Sequence, residues 1–156
     1  MNIDDLRSLM DAFDPTALLP DLGNLTADLA SLARLAVMAG PVVMLALGLA
    51  YLFLAPKEAN HHFGYRCYFG MGSVEAWRYT QRMAGLLFVV MGLVLTVVMF
   101  FVSAGFADKA PFDAMTAAVT AMIWEAVLTL AAVLTINTLA ALNFTADGEI
   151  RPRRTK

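Results

Sequence analysis

Charge is what this sequence has least of. Only 15% of its residues are charged, against about 25% in an average soluble chain. It has one cysteine and two histidines. A lone Cys67 excludes an intramolecular disulfide and carries no information on redox compartment. The only soft metal ligands are His61, His62 and Cys67. A zinc site wants about four ligands in a tetrahedron, and adjacent histidines rarely aim at one ion. No metal and no cofactor are expected, and haem is disfavoured because no histidine lies in the long apolar runs. No Ser-His-Asp, Cys-His or paired-carboxylate arrangement is present, so an enzyme is not expected. The basic residues form no patch within a recognisable nucleic-acid-binding pattern, so nucleic acid is not an expected partner. The first residues are acidic, without a basic segment leading into an apolar one, so no secretory signal is expected.

What is present is apolar sequence in blocks. Sixty per cent of the 156 residues are hydrophobic, and they are gathered in runs rather than interleaved with polar positions as a soluble core requires. The reading is an all-α membrane protein: three transmembrane helices, an amphipathic acidic N-terminal leader, and a polar motif loop between helices 1 and 2. The leader, residues 1–31, has six aspartates against one arginine, Arg7. Leu6, Leu9, Met10 and Phe13 form a helical stripe. Pro15 and Pro20 interrupt it, and a second amphipathic piece begins near Asn24. It reads either as a helix lying at the membrane interface or as a solvated segment packed on the protein's own outer face.

The transmembrane domain, residues 32–144, has spans at about 35–54, 83–104 and 117–142. The first is about 20 residues long, enough to cross about 30 Å of hydrocarbon. Gly40-Pro41 is expected to kink it, and Ala46 with Ala50 offers a small-xxx-small contact. Between spans one and two lies the motif loop, residues 57–82. Pro56 should stop the first helix, and Ser73 with Glu75 resembles the start of the next. Trp77 and Arg78 read as anchors at the headgroup level. Gly85 and Gly92, seven apart, make a packing seam. A basic C-terminal tail, residues 145–156, lies outside lipid.

Counting Lys and Arg sets the topology. Eight (Lys57, Arg66, Arg78, Arg82, Arg151, Arg153, Arg154, Lys156) share the side of the motif loop and C-terminus, and three (Arg7, Arg34, Lys109) lie opposite. Positive charge collects inside. The expectation is N-terminus outside, motif loop and C-terminus cytoplasmic.

One acid, Glu125, falls inside an apolar run. A carboxylate at the centre of a membrane helix costs about 2.5–3.5 kcal/mol, so it should face protein or water. Arg34 marks the outer end of span one, and pairing of Arg34 with Glu125 is expected to fix span one against span three.

Asn60, Gly64, Tyr65 and Arg66, then Glu75 and Trp77 ahead of a membrane helix, resemble the SdpI family of small bacterial membrane proteins. The spacing is Asn-x3-Gly-Tyr-Arg with Trp eleven residues after the Arg. The likeness covers about Leu54 to Ala104. Where that family commonly has Thr and a polar stretch after the Arg, this chain has Cys67-Tyr-Phe-Gly-Met-Gly. The resemblance implies a multi-pass protein of the bacterial cell membrane, similar to those giving immunity to a membrane-active peptide toxin. Its implied partners are membrane lipids with a peptide toxin or a cytoplasmic regulatory protein. Arg66 fits either a clamp on a phosphate or carboxylate, or a brace for the loop. The alternative is a small accessory subunit of a membrane complex, or a homo-oligomeric or transporter-like element, using Glu125 as its intramembrane polar site.

Overall fold

The computed structural model describes residues 22–59 and 62–152, with side chains from residue 28 onward. The stripe from Leu6 to Phe13, Asn60, His61 and the last four residues lie outside the described part. Among the described residues the protein is all-helical, with three helices in order: α1 (Leu22–Phe53), α2 (Val74–Ala104) and α3 (Pro111–Asn143). All three are long and apolar enough to cross a membrane. Their 31 to 33 residues amount to about 48 Å at 1.5 Å per residue, against about 30 Å of hydrocarbon. Each helix therefore continues past the apolar layer, and the extra turns carry the loop contacts. The segment from Leu22 to residue 31 is continuous with span one rather than a separate piece.

The boundaries follow local chemistry. The Ser73 side chain accepts from the Ala76 amide, 3.1 Å, and Glu75 occupies the first turn of α2, where a carboxylate favours the exposed amides. Pro111 opens α3 at the position where its missing N–H costs nothing. Span three thus starts six residues before the expected 117. The α2–α3 turn is plugged by Phe106, which is buried.

Between helices in lipid there is no hydrophobic drive, so close approach of backbones decides the packing. On α2 the inward face reads Trp77, Gln81, Ala84, Phe88, Gly92, Leu95, Met99 and Ser103, helical spacing throughout. Leu86, Val90, Leu93, Val97 and Phe101 point outward and are exposed, as lipid-facing side chains are. The most extensive contact is α1 with α2. A Cβ on Gly92 would stand 2.6 Å from Leu45 N, and one on Gly85 would stand 3.0 Å from Gly48 O. The expected seam at Gly85 and Gly92 is present. Its partner on α1 is Gly48, whose own Cβ would lie 2.6 Å from Val89 N; Ala46 is exposed instead. Alanine is too large where two backbones meet, so the contact centres on the glycine.

On α3 the inward line is Ala114, Ala118, Ala121, Glu125, Ala132, Ile136 and Ala140. Small residues again permit close packing, with one acid among them.

Candidate functional site

The motif residues are gathered at the end of the bundle where α1 stops, α2 starts and α3 finishes. Pro56 cannot continue a helix, and its free carbonyl accepts from Trp77 Nε1 at 2.8 Å. Trp77 is fully buried. The expected headgroup anchor is therefore a core residue, because the loop folds back across the first turns of α2 and covers the indole. Gly64 makes that crossing. Its φ is +122°, and a Cβ there would meet the Trp77 ring at 2.7 Å and Gln81 Oε1 at 3.0 Å. Only glycine combines that backbone geometry with that clearance.

Next in the chain, Tyr65 is held at both ends of its backbone. Gln81 Nε2 donates to Tyr65 O at 2.6 Å, and Tyr65 N donates to Gln81 Oε1 at 2.8 Å. A buried amide with its oxygen and nitrogen both paired is a strong local fastener. The Tyr65 ring lies edge-on to Phe88 and Tyr51, with centroids 6.1 and 6.2 Å away. Its hydroxyl donates into α3, to Asn137 Oδ1 at 2.9 Å and more weakly to Val133 O at 3.3 Å. Burial raises the Tyr65 phenol to about 12, with smaller contributions from Cys67 and Tyr51. It therefore stays a neutral donor at physiological pH. One loop residue thus ties α1, α2 and α3 together.

The C-terminal segment joins the same assembly. Residues after α3 turn back through Gly148, φ +79°, with a single antiparallel bridge between Phe144 and Ile150. Ser73 Oγ donates to Gly148 O at 2.8 Å. A Cβ on Gly72 would lie 2.5 Å from Gly148 N, so the two strands of backbone touch. Asn143 Nδ2 donates to Tyr79 Oη at 3.1 Å, and Arg151 stands 6.0 Å over the Phe69 ring, at the outer reach of a cation–π contact. The first part of the basic tail is thus a turn docked on the motif loop. Asp147-Gly148, a turn dipeptide that packs on the Gly72 backbone, is the sequence signal that would have revealed it.

Of the motif set, the structure brings Gly64, Tyr65 and Trp77 together. Arg66 is exposed at the loop's edge, Glu75 is an exposed first-turn carboxylate, and Asn60 lies outside the described residues. Sequence reasoning missed Gln81 and Asn137. Gln81 is four residues after Trp77 and so on its face of α2, and Asn137 is the only amide of α3 before its last residue, Asn143. Beside the Gln81 side chain lies a crevice of about 530 Å³ lined by Tyr51, Pro56, Lys57, Arg78, Gln81 and Arg82 among others. Arg78 Nε donates to Lys57 O at 3.3 Å on its exposed rim.

Deeper in the bundle the expected Arg34–Glu125 pair is absent. Arg34 Nε donates to Ser103 O at 3.1 Å, closing the end of α2. Glu125 packs on α1 at Gly40, where a Cβ would stand 2.8 Å from Oε2. Gly40 is six residues beyond Arg34, about 9 Å along a helix, and Arg34 turns the other way to satisfy a carbonyl that the helix end leaves open. Because α3 begins at Pro111, Glu125 is fourteen residues into it and eighteen from its end. It sits near the helix middle, deeper than the sequence implied. It faces protein, as expected, while Trp124 beside it is exposed.

A three-helix membrane bundle closed at one end by a Gly-Tyr-Arg loop defines a small polytopic membrane protein. Residues 57–139, more than half of the chain, match the SdpI/YfhL protein family, and the chain belongs to that family. Comparison with curated proteins and with solved structures returns no match.

Proposed function

We propose that this protein protects a bacterial cell membrane against a membrane-active peptide, or reports such a peptide to the cytoplasm, without catalysing a reaction. In this reading the motif loop and C-terminus are cytoplasmic and the N-terminal side faces out. Family membership supports it, as does the eight-to-three division of cations between the two sides. The observation that carries it is the motif end itself. Gly64, Tyr65, Trp77 and Gln81 are spent on fixing the loop, and Lys57, Arg66, Arg78 and Arg82 remain exposed around it. Such a surface is a fixed cationic platform, suited to lipid phosphates or an acidic partner protein.

The test is expression in a sensitive bacterial host challenged with secreted amphipathic peptides, scoring survival and membrane potential. Protection is expected from the full chain, and Arg66→Lys should lose more of it than Arg78→Lys, since an ammonium does not replace a planar two-pronged donor. Equal killing with and without the protein across the peptides would overturn the reading. The orientation has its own check. A membrane-impermeant maleimide should miss Cys67 in intact cells and reach it in opened ones; labelling from outside would reverse the topology.

A further inference from the structure

Glu125 is the acid that the bundle buries without a partner. It is 7% exposed, its Oε1 has no hydrogen bond, and no ion pair involves it among the described residues. Buried polar atoms are paired in the great majority of cases, so an orphan on a buried acid asks for an explanation. The alanines on either side of it along α3 let the helices approach, and between them α1 and α3 leave a crevice of about 580 Å³. Ala36, Gly40, Pro41, Glu125, Ala126 and Thr129 are among its walls. Ala36, Ala39, Ala126 and Leu130 on its rim are exposed, so within the spans it opens sideways toward lipid.

The polar content of this crevice is one-sided. Glu125 supplies carboxylate oxygens. Thr129, one turn further on the same face of α3, supplies a hydroxyl, one O–H donor with two acceptor lone pairs. The walls are otherwise aliphatic side chains and the thioethers of Met44 and Met122. Beyond the Thr129 hydroxyl proton, the lining offers a carboxyl group and acceptors but no side-chain N–H donor and no positive charge. A calcium or magnesium ion would require six or more oxygens, more than this lining provides. A primary ammonium supplies three N–H donors and one positive charge, and an attached apolar chain would match the walls and the lipid-facing mouth.

We propose that this crevice is a binding site for a lipophilic primary ammonium, with Glu125 as its counter-ion and Gly40 providing the space for the carboxylate. The site goes beyond the immunity reading and does not depend on it. Its test uses the full chain in phosphatidylcholine nanodiscs, with dodecylammonium as the probe and dodecanol as its uncharged control. Dicyclohexylcarbodiimide, which attacks carboxyl groups from the apolar phase, should modify Glu125, read as an adduct by peptide mass. Dodecylammonium should slow that modification at least tenfold and dodecanol should not. Retention of dodecylamine on the protein should fall at least tenfold in Glu125→Gln. If that variant does not fold, Ala39→Phe, which keeps the acid and fills the rim of the crevice, should show the same loss. An unmodified Glu125 in the wild type, equal protection by the alcohol, or equal retention by the variants would each overturn the site.

Discussion

At the motif end of the bundle, Trp77 Nε1, both amide atoms of Gln81 and the Tyr65 hydroxyl all have partners within 2.6–2.9 Å. Near the middle of α3, Glu125 Oε1 has none. Both places were marked by unusual polar residues beside apolar helices, yet the fold treats them in opposite ways. A satisfied network holds the chain in one arrangement, and losing any member leaves a buried group unpaired. An unsatisfied carboxylate holds nothing together. The difference separates residues that build the platform from a residue that the platform leaves available.

That contrast can be broken from the motif side first. Gly64→Ala should have the largest effect, because it forces a side chain to φ +122° and drives a methyl into the Trp77 ring. The strain and overpacking together should cost about 3 kcal/mol or more, read as loss of monodisperse protein on extraction. Wild-type stability in Gly64→Ala would mean that the loop does not wrap the indole. Trp77→Phe should follow, destabilising by about 1–3 kcal/mol as Pro56 O loses its buried donor. Its measure is the midpoint of denaturant unfolding in detergent.

The smallest of the three is Tyr65→Phe, at about 1 kcal/mol for one hydrogen bond. Paired with Asn137→Ala it should show coupling, the double variant losing less than the sum. The same hydroxyl gives a pH signature. Its folded pKa of about 12 exceeds the ordinary 10.0, so the folded chain keeps this proton longer than the unfolded one. The stability it contributes is whole below about pH 10 and declines as pH rises from about 10 to about 12. Wild type should therefore lose more stability across that window than Tyr65→Phe does.

Helix content and the number of spans were legible because membrane sequence has one strong signal, the length of an apolar run. The Ser73 start and the Gly85–Gly92 seam were legible for the same local reasons: a hydroxyl before a helix, and glycines seven apart. Trp77 was misread because composition places Trp at interfaces, and nothing local shows that Gly64 will carry the loop over it. The Arg34–Glu125 pair failed on depth. A span drawn from about 117 put Glu125 two to three turns from the outside, whereas the helix opens at Pro111 and Arg34 has a nearer carbonyl to close. Gly48 was passed over for Ala46 and Ala50 because a pair pattern is easier to see than a single glycine at a crossing. Gln81 and Asn137 carry no motif and are recognised only once the partners that saturate them are in place.

The claim that the motif end is structural while Glu125 is held in reserve is tested most directly by comparing Trp77→Phe and Glu125→Gln in one unfolding experiment on the purified protein without added ligand. The account predicts that Trp77→Phe lowers the unfolding midpoint and that Glu125→Gln leaves it unchanged or raises it, since no partner is lost and an unpaired buried carboxyl group is replaced by an amide of the same shape. A Glu125→Gln protein as destabilised as Trp77→Phe would contradict it, and would place the acid among the groups that hold the three helices together.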